Sequence, residues 1–175
     1  MSQELDLRAT VGGIELPFAV MNAANTAVHA RELQALATSS SGAVVLRTTT
    51  VHPFVHPEFR SLHNPGLDKL LGLARAVAKL GKPVIASVCC GTAREFAHQG
   101  GAYGEAGVAA VEANLAEDWV DATIAPFEDE DALDELCRDL VASSPVPVWL
   151  RLPPRALPYA DLLPRLAEAG VQAVT

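Results

Sequence analysis

Lys79-Leu-Gly-Lys-Pro-Val-Ile-Ala-Ser-Val88 is the stretch that decides the fold. Its first residues close a helix, Gly81 supplies the left-handed stop that many helices use, and the apolar run from Pro83 to Val88 has the length and character of a buried strand. The same ending recurs in Glu105-Ala-Gly-Val-Ala109 and Glu168-Ala-Gly-Val-Gln172, each with glycine just before an apolar segment. A helix–glycine–strand unit repeated in this way predicts a parallel sheet, because parallel strands need long crossover connections.

Outward from this stretch, strands are expected at Phe18 to Ala23, Ala43 to Thr48, Ala109 to Leu115 and Val146 to Leu152, with a further strand opening at Val171 to Thr175. Helices are expected at His29 to Ala37, Leu67 to Leu80, Asp131 to Ala142 and Asp161 to Ala169, and another after Thr92. In that last helix Gly100, Gly101 and Gly104 each cost about 1 kcal/mol against alanine, which predicts a break near Gly100. Ahead of the repeats, Leu5 to Val11 and Ile14 to Leu16 flank Gly12-Gly13 and read as a hairpin, a lid beneath a barrel. The expected fold class is therefore α/β, an incomplete TIM-type (β/α) barrel of about five βα units plus the start of a sixth strand, where a closed barrel takes about 250 residues. It forms a single domain over 1–175, with the hairpin in 1–17 and the βα units in 18–175. Unpaired sheet edges invite partners, so a second copy or the rest of a longer polypeptide is expected to complete the barrel.

Composition narrows the function classes. The chain has 13 basic and 21 acidic residues, a formal charge of −8, with 50% hydrophobic residues. That balance argues against nucleic acid or anionic lipid as partner. With no secretory pattern at the N-terminus and no apolar run of spanning length, the expectation is a cytoplasmic protein without a membrane segment. Cys89, Cys90 and Cys137 fit neither a disulfide framework nor a zinc spacing and are expected to be small buried residues. His52, His56 and His63 share a loop whose Pro53 and Pro57 oppose the helix that would align them on a metal, so no metal is expected.

In a β/α barrel the chemistry gathers at the carboxyl ends of the strands. Here these ends are Asn22 to Asn25, Arg47 to Thr50, Ser87 to Cys90, Asn114 to Glu117 and Arg151 to Pro154. Small and amide side chains after the first strand allow a flat ring close to the backbone, and a cation after the second and fifth strands can stabilise negative charge on it. A flavin needs these features.

Met21-Asn-Ala-Ala-Asn25, Leu46-Arg-Thr-Thr-Thr50, Leu62-His-Asn-Pro-Gly66, Glu112-Ala-Asn-Leu115 and Arg151-Leu-Pro-Pro154 together resemble segments of the dihydroorotate dehydrogenases, in the same order and on corresponding strands. The resemblance implies FMN as cofactor, lined by Ala23, Ala24, Arg47, Asn114 and Arg151. It also implies that Asn64 holds a small anionic substrate, and that dihydroorotate is oxidised to orotate in pyrimidine synthesis. Two of the family's lysines are arginine here, at Arg47 and Arg151. Its cysteine or serine base is missing from Asn114-Leu-Ala-Glu-Asp-Trp119, where Glu117 is the nearest candidate for the catalytic base. Glu117, Asp118 and Asp121 read equally as a solvated acidic loop. The family's phosphate-binding loops after its last two strands have no counterpart in this sequence. Glu112 shares a strand face with Asn114, and Arg47 or Arg151 is its expected partner, since a buried carboxylate must be paired. Two other readings stay open: a non-catalytic diverged subunit or remnant of that family, and a barrel enzyme that uses Glu112 or Glu117 on another small anionic substrate.

Overall fold

The computed structural model describes residues 5–55, 58, 63–116, 130–154 and 158–175. Strands β1 (Ala9–Val11) and β2 (Ile14–Leu16) pair antiparallel around Gly12-Gly13, which is the expected hairpin. Helices and strands then alternate as α1 (Ala30–Thr38), β3 (Val44–Val45), α2 (Leu67–Ala78), β4 (Val84–Val88), α3 (Ala93–Glu105), β5 (Ala110–Asn114), α4 (Glu130–Ser143), β6 (Val148–Arg151), α5 (Tyr159–Glu168) and β7 (Ala173–Val174). Strands β3 to β7 form one parallel sheet in sequence order. The fold is thus α/β, and the glycines at the ends of α2, α3 and α5 stand at φ 85°, 86° and 94°, as the repeated helix ending requires.

Side-chain alternation divides the sheet into two unlike faces. Val84, Ala86, Val88, Val111, Ala113, Val148 and Leu150 point to a core shared with Leu33 of α1, Leu67 and Ala74 of α2, Phe96 and Tyr103 of α3, Leu136 and Leu140 of α4 and Leu166 of α5. All five helices among the described residues therefore contribute to one side of the sheet. On the opposite, inner face, Val45, Ile85, Ala110 and Trp149 pack with Leu16 of the hairpin and Ala24. Burying each large aliphatic side chain contributes roughly 1.5–3 kcal/mol, so most of the hydrophobic stabilisation lies on the helix side and the inner face is left with room for polar residues. Among the described residues no helix is long and apolar enough to cross a membrane.

Two expectations need correction. The strand expected at Phe18 to Ala23 does not form; this segment instead runs beside β3 through single contacts, with the Gly42 amide donating to the Val20 carbonyl at 2.7 Å and the Ala19 amide to the Leu7 carbonyl at 3.0 Å. Close approach explains why residue 42 is glycine, since a Cβ there would lie 1.8 Å from the Phe18 carbonyl oxygen. Gly42→Ala is accordingly expected to cost about 1–3 kcal/mol or more, as overpacking does. Urea unfolding would register this as a lower midpoint, whereas an unchanged midpoint would mean that the segment is not held against Gly42.

The second correction concerns α3, which runs unbroken through Gly100. Packing outweighs the weak propensity of its glycines. A Cβ on Gly104 would sit 2.3 Å from the Pro145 ring, so glycine lets the helix lie against the turn after α4. Tyr103, fully buried on the same helix, shares a hydrogen bond of 2.7 Å with the Thr49 hydroxyl. Thr92 and Glu95 start the helix with a capping arrangement, in which the Thr92 hydroxyl accepts from the Glu95 amide and Glu95 accepts from the Gly91 amide.

Candidate functional site

Register across the inner face places Ser87, Glu112, Trp149 and Ala173 in one row, with Asn114 and Arg151 paired one step further toward the carboxyl ends. These positions draw in the two loops that follow the hairpin and β3. Asn22 replaces a missing strand ladder with its side chain. Its amide nitrogen donates to the Val45 carbonyl and its amide oxygen accepts from the Val45 amide, both at 2.8 Å. Asn25 is the one non-glycine residue of positive φ among those described, at 65°, a conformation that asparagine tolerates better than most residues.

Thr48 ties these pieces together. Its hydroxyl receives hydrogen bonds from Asn114 at 3.0 Å and Asn25 at 3.2 Å and shares one with Ser87 at 3.1 Å. Its backbone amide donates to the Asn25 side-chain oxygen at 3.0 Å, and its carbonyl accepts from the Asn64 side-chain nitrogen, Nδ2, at 2.5 Å. Asn64 is 4% exposed and also accepts from the Gly66 amide at 3.0 Å, so both ends of its side chain hold the loop around Thr48. Sequence reasoning passed over Thr48 although the residue stands inside one of the quoted segments. Its hub role depends on three asparagines that are remote in sequence.

Beside this network lies a cavity of about 270 Å³ lined by Met21, Asn22, Ala23, Ala24, Val45, Glu112, Trp149, Arg151 and Thr175. Ala23, Ala24 and Arg151 of the expected set thus meet in one place, and Asn114 is paired with Arg151 across β5 and β6 without lining the cavity itself. Glu112 is 6% exposed. One of its carboxylate oxygens accepts from the Thr175 hydroxyl at 2.8 Å, and the other has no hydrogen-bond partner among the described residues. Neither arginine pairs with it, contrary to expectation, and the Arg151 guanidinium forms no ion pair among the described residues.

Arg47 lies elsewhere. It borders a void of about 10 Å³ among Leu33, Leu70 and Tyr103 on the helix side, and its guanidinium donates to the His63 carbonyl. Partial burial draws its pKa below the ordinary arginine value, and its buried Nε has no hydrogen-bond partner among the described residues. The candidate base Glu117, with Asp118, Asp121 and His56, lies outside the described residues. No group of three potential metal ligands occurs among the described residues.

The three cysteines are buried thiols, as expected. Burial pushes the Cys137 thiol up to about 12 and the Cys90 thiol higher still, so neither is a nucleophile near neutral pH. Cys90 accepts a hydrogen bond from Gln99 of α3, which completes its role as a core residue.

What the cavity offers chemically is small residues on one wall, an indole on another, a cation at the rim and a buried carboxylate. No family model and no curated protein matches this chain.

Proposed function

We propose that this chain is the ring-binding part of an FMN-dependent oxidoreductase resembling the dihydroorotate dehydrogenases, built as an incomplete (β/α) barrel that a second copy or further polypeptide completes. The reading is carried by one observation: Ala23 and Ala24, from the loop after the hairpin, and Arg151, from the end of β6, border the same cavity. Further support comes from the helices, which all pack on one side of a parallel sheet, as the outer ring of such a barrel would.

The residues present suit the ring of the cofactor. The methyl side chains of Ala23 and Ala24 leave room for a flat face against the backbone, Arg151 supplies positive charge where the ring gains electrons, and the unpaired oxygen of Glu112 is an acceptor in search of a donor. The chemistry that FMN would supply when bound is hydride acceptance, with dihydroorotate as the substrate to try first. The protein's own part is to exclude water with Trp149 and Met21, to orient the ring with Arg151, and to place a proton acceptor, for which Glu117 is the candidate. Asn64 and Asn114 both hold Thr48, which in turn is bonded to Asn25, the residue that follows Ala24 of the cavity lining. A cytoplasmic setting suits this chemistry and the reduced cysteines.

Mixing the purified protein with FMN and passing it through a sizing column with absorbance detection tests the proposal. Flavin is expected to co-elute with the protein, and dihydroorotate is expected to bleach its visible band. A folded species that elutes without flavin would instead favour the non-catalytic relative.

A further inference from the structure

We infer that Glu112 is a specificity residue of the cavity, accepting a hydrogen bond from a ring N–H of the bound molecule, so that the ligand class is a flat heterocycle carrying an N–H next to a carbonyl. This deepens the flavin reading and rests on it, since the flavin ring has such an imide edge.

Most polar groups that line the cavity are already engaged. Both ends of the Asn22 amide are occupied by the Val45 backbone. The Thr175 hydroxyl donates to Glu112. The Trp149 indole N–H also has no partner among the described residues, but its nitrogen lies against the Gly12 turn. What remains is the Arg151 guanidinium, a donor only, and the Glu112 carboxylate, an acceptor only, one of whose oxygens has no hydrogen-bond partner among the described residues. They sit on adjacent strands, β5 and β6, where Asn114 is paired with Arg151 and Glu112 with Trp149. A donor and an acceptor one step apart match a carbonyl beside an N–H. Rotation about the last side-chain bond of glutamate is soft, so either oxygen can be turned toward the ligand. A carboxylate this deeply buried without an ionic partner is costly, and a charge-assisted hydrogen bond from a bound N–H offsets that cost. The indole of Trp149, wholly buried in the same lining, gives the ring an apolar neighbour.

The test compares FMN with FMN methylated at the imide nitrogen, each titrated into the intact protein with flavin fluorescence as readout. FMN is expected to bind about 10–100-fold more tightly, the range that a charge-assisted hydrogen bond spans. Glu112→Ala is expected to abolish that preference, and Glu112→Gln, which keeps the shape and a carbonyl acceptor, to retain part of it. Equal binding of the two flavins by the unaltered protein would overturn the inference while leaving the flavin reading intact, and so would a preference that survives in Glu112→Ala. If neither flavin binds, the flavin reading itself fails and the inference fails with it. The comparison on the unaltered protein needs no variant to fold.

Discussion

Trp149→Ala is expected to lower the unfolding free energy by roughly 3–5 kcal/mol, the usual cost of truncating a buried large aromatic residue. For a chain of this size each kcal/mol moves Tm by about 2–4 °C, so the variant should melt well below the parent. Trp149 is 0% exposed and stands at the centre of the inner face, where Leu16, Val45, Ile85 and Ala110 surround it. It also fixes the hairpin: a Cβ on Gly12 would come within 2.4 Å of the indole nitrogen, so the turn rests directly on the ring. Trp149→Phe should lose much less, because the indole N–H has no hydrogen-bond partner among the described residues, and removing it relieves a desolvation penalty of about 1–3 kcal/mol. Urea unfolding followed by circular dichroism separates the two variants. A Trp149→Ala midpoint equal to that of the parent would show that hairpin and sheet are not packed as a unit.

The repeat of helix, glycine and strand was legible because each part has a local cause: apolar period in the helices, positive φ at Gly81, Gly107 and Gly170, and β-branched runs that fit a doubly buried sheet. What escaped was set by contacts between distant segments. Phe18 to Ala23 has the composition of a strand, but the Asn22 side chain takes the bonds to Val45 that a backbone ladder would have used, and Gly42 admits the Phe18 carbonyl where a side chain would not fit. Propensity alone suggested a broken α3, whereas Gly104 fits under Pro145 and keeps the helix whole.

The site divides in the same way. Ala23, Ala24 and Arg151 were named from the carboxyl ends of strands and do meet at one cavity. Arg47 was named by the same rule and lies on the helix side, because the pairing with β4 takes in one extra residue there: Val45 stands opposite Ile85 and Thr49 opposite Val88. Between those two pairs Asn25 and Asn64 hold the Thr48 backbone, so strict two-residue alternation no longer governs where Arg47 points. The expected pairing of Glu112 with an arginine failed for a related reason. Arg47 lies on the other side of the sheet, and Arg151 stands opposite Asn114 rather than Glu112, while the Thr175 hydroxyl holds one carboxylate oxygen.

Arg151→Glu is expected to weaken FMN binding on the order of 100-fold or more, since losing one partner of a buried charge contact costs at least about 2 kcal/mol and the reversal adds repulsion. The new carboxylate would share the cavity with Glu112, so two negative groups would face the ring where the parent has one of each sign. Stability should change little by comparison: the Arg151 guanidinium forms no ion pair among the described residues and lies at the partly exposed end of β6. A loss of flavin with an unchanged urea midpoint is therefore the expected signature, and full co-elution of FMN with Arg151→Glu would remove this cavity as the flavin site. Arg151→Lys is the more discriminating partner experiment. Lysine is the residue that the resembled family carries here, and its compact ammonium presents a point charge where arginine presents a planar fork. If the cavity needs only positive charge beside the ring, lysine should bind FMN within a few-fold of the parent. If binding depends on two guanidinium donors spanning neighbouring acceptors, lysine should fall toward the glutamate variant, and the exchange of lysine for arginine would then mark a site adapted to a different ring edge.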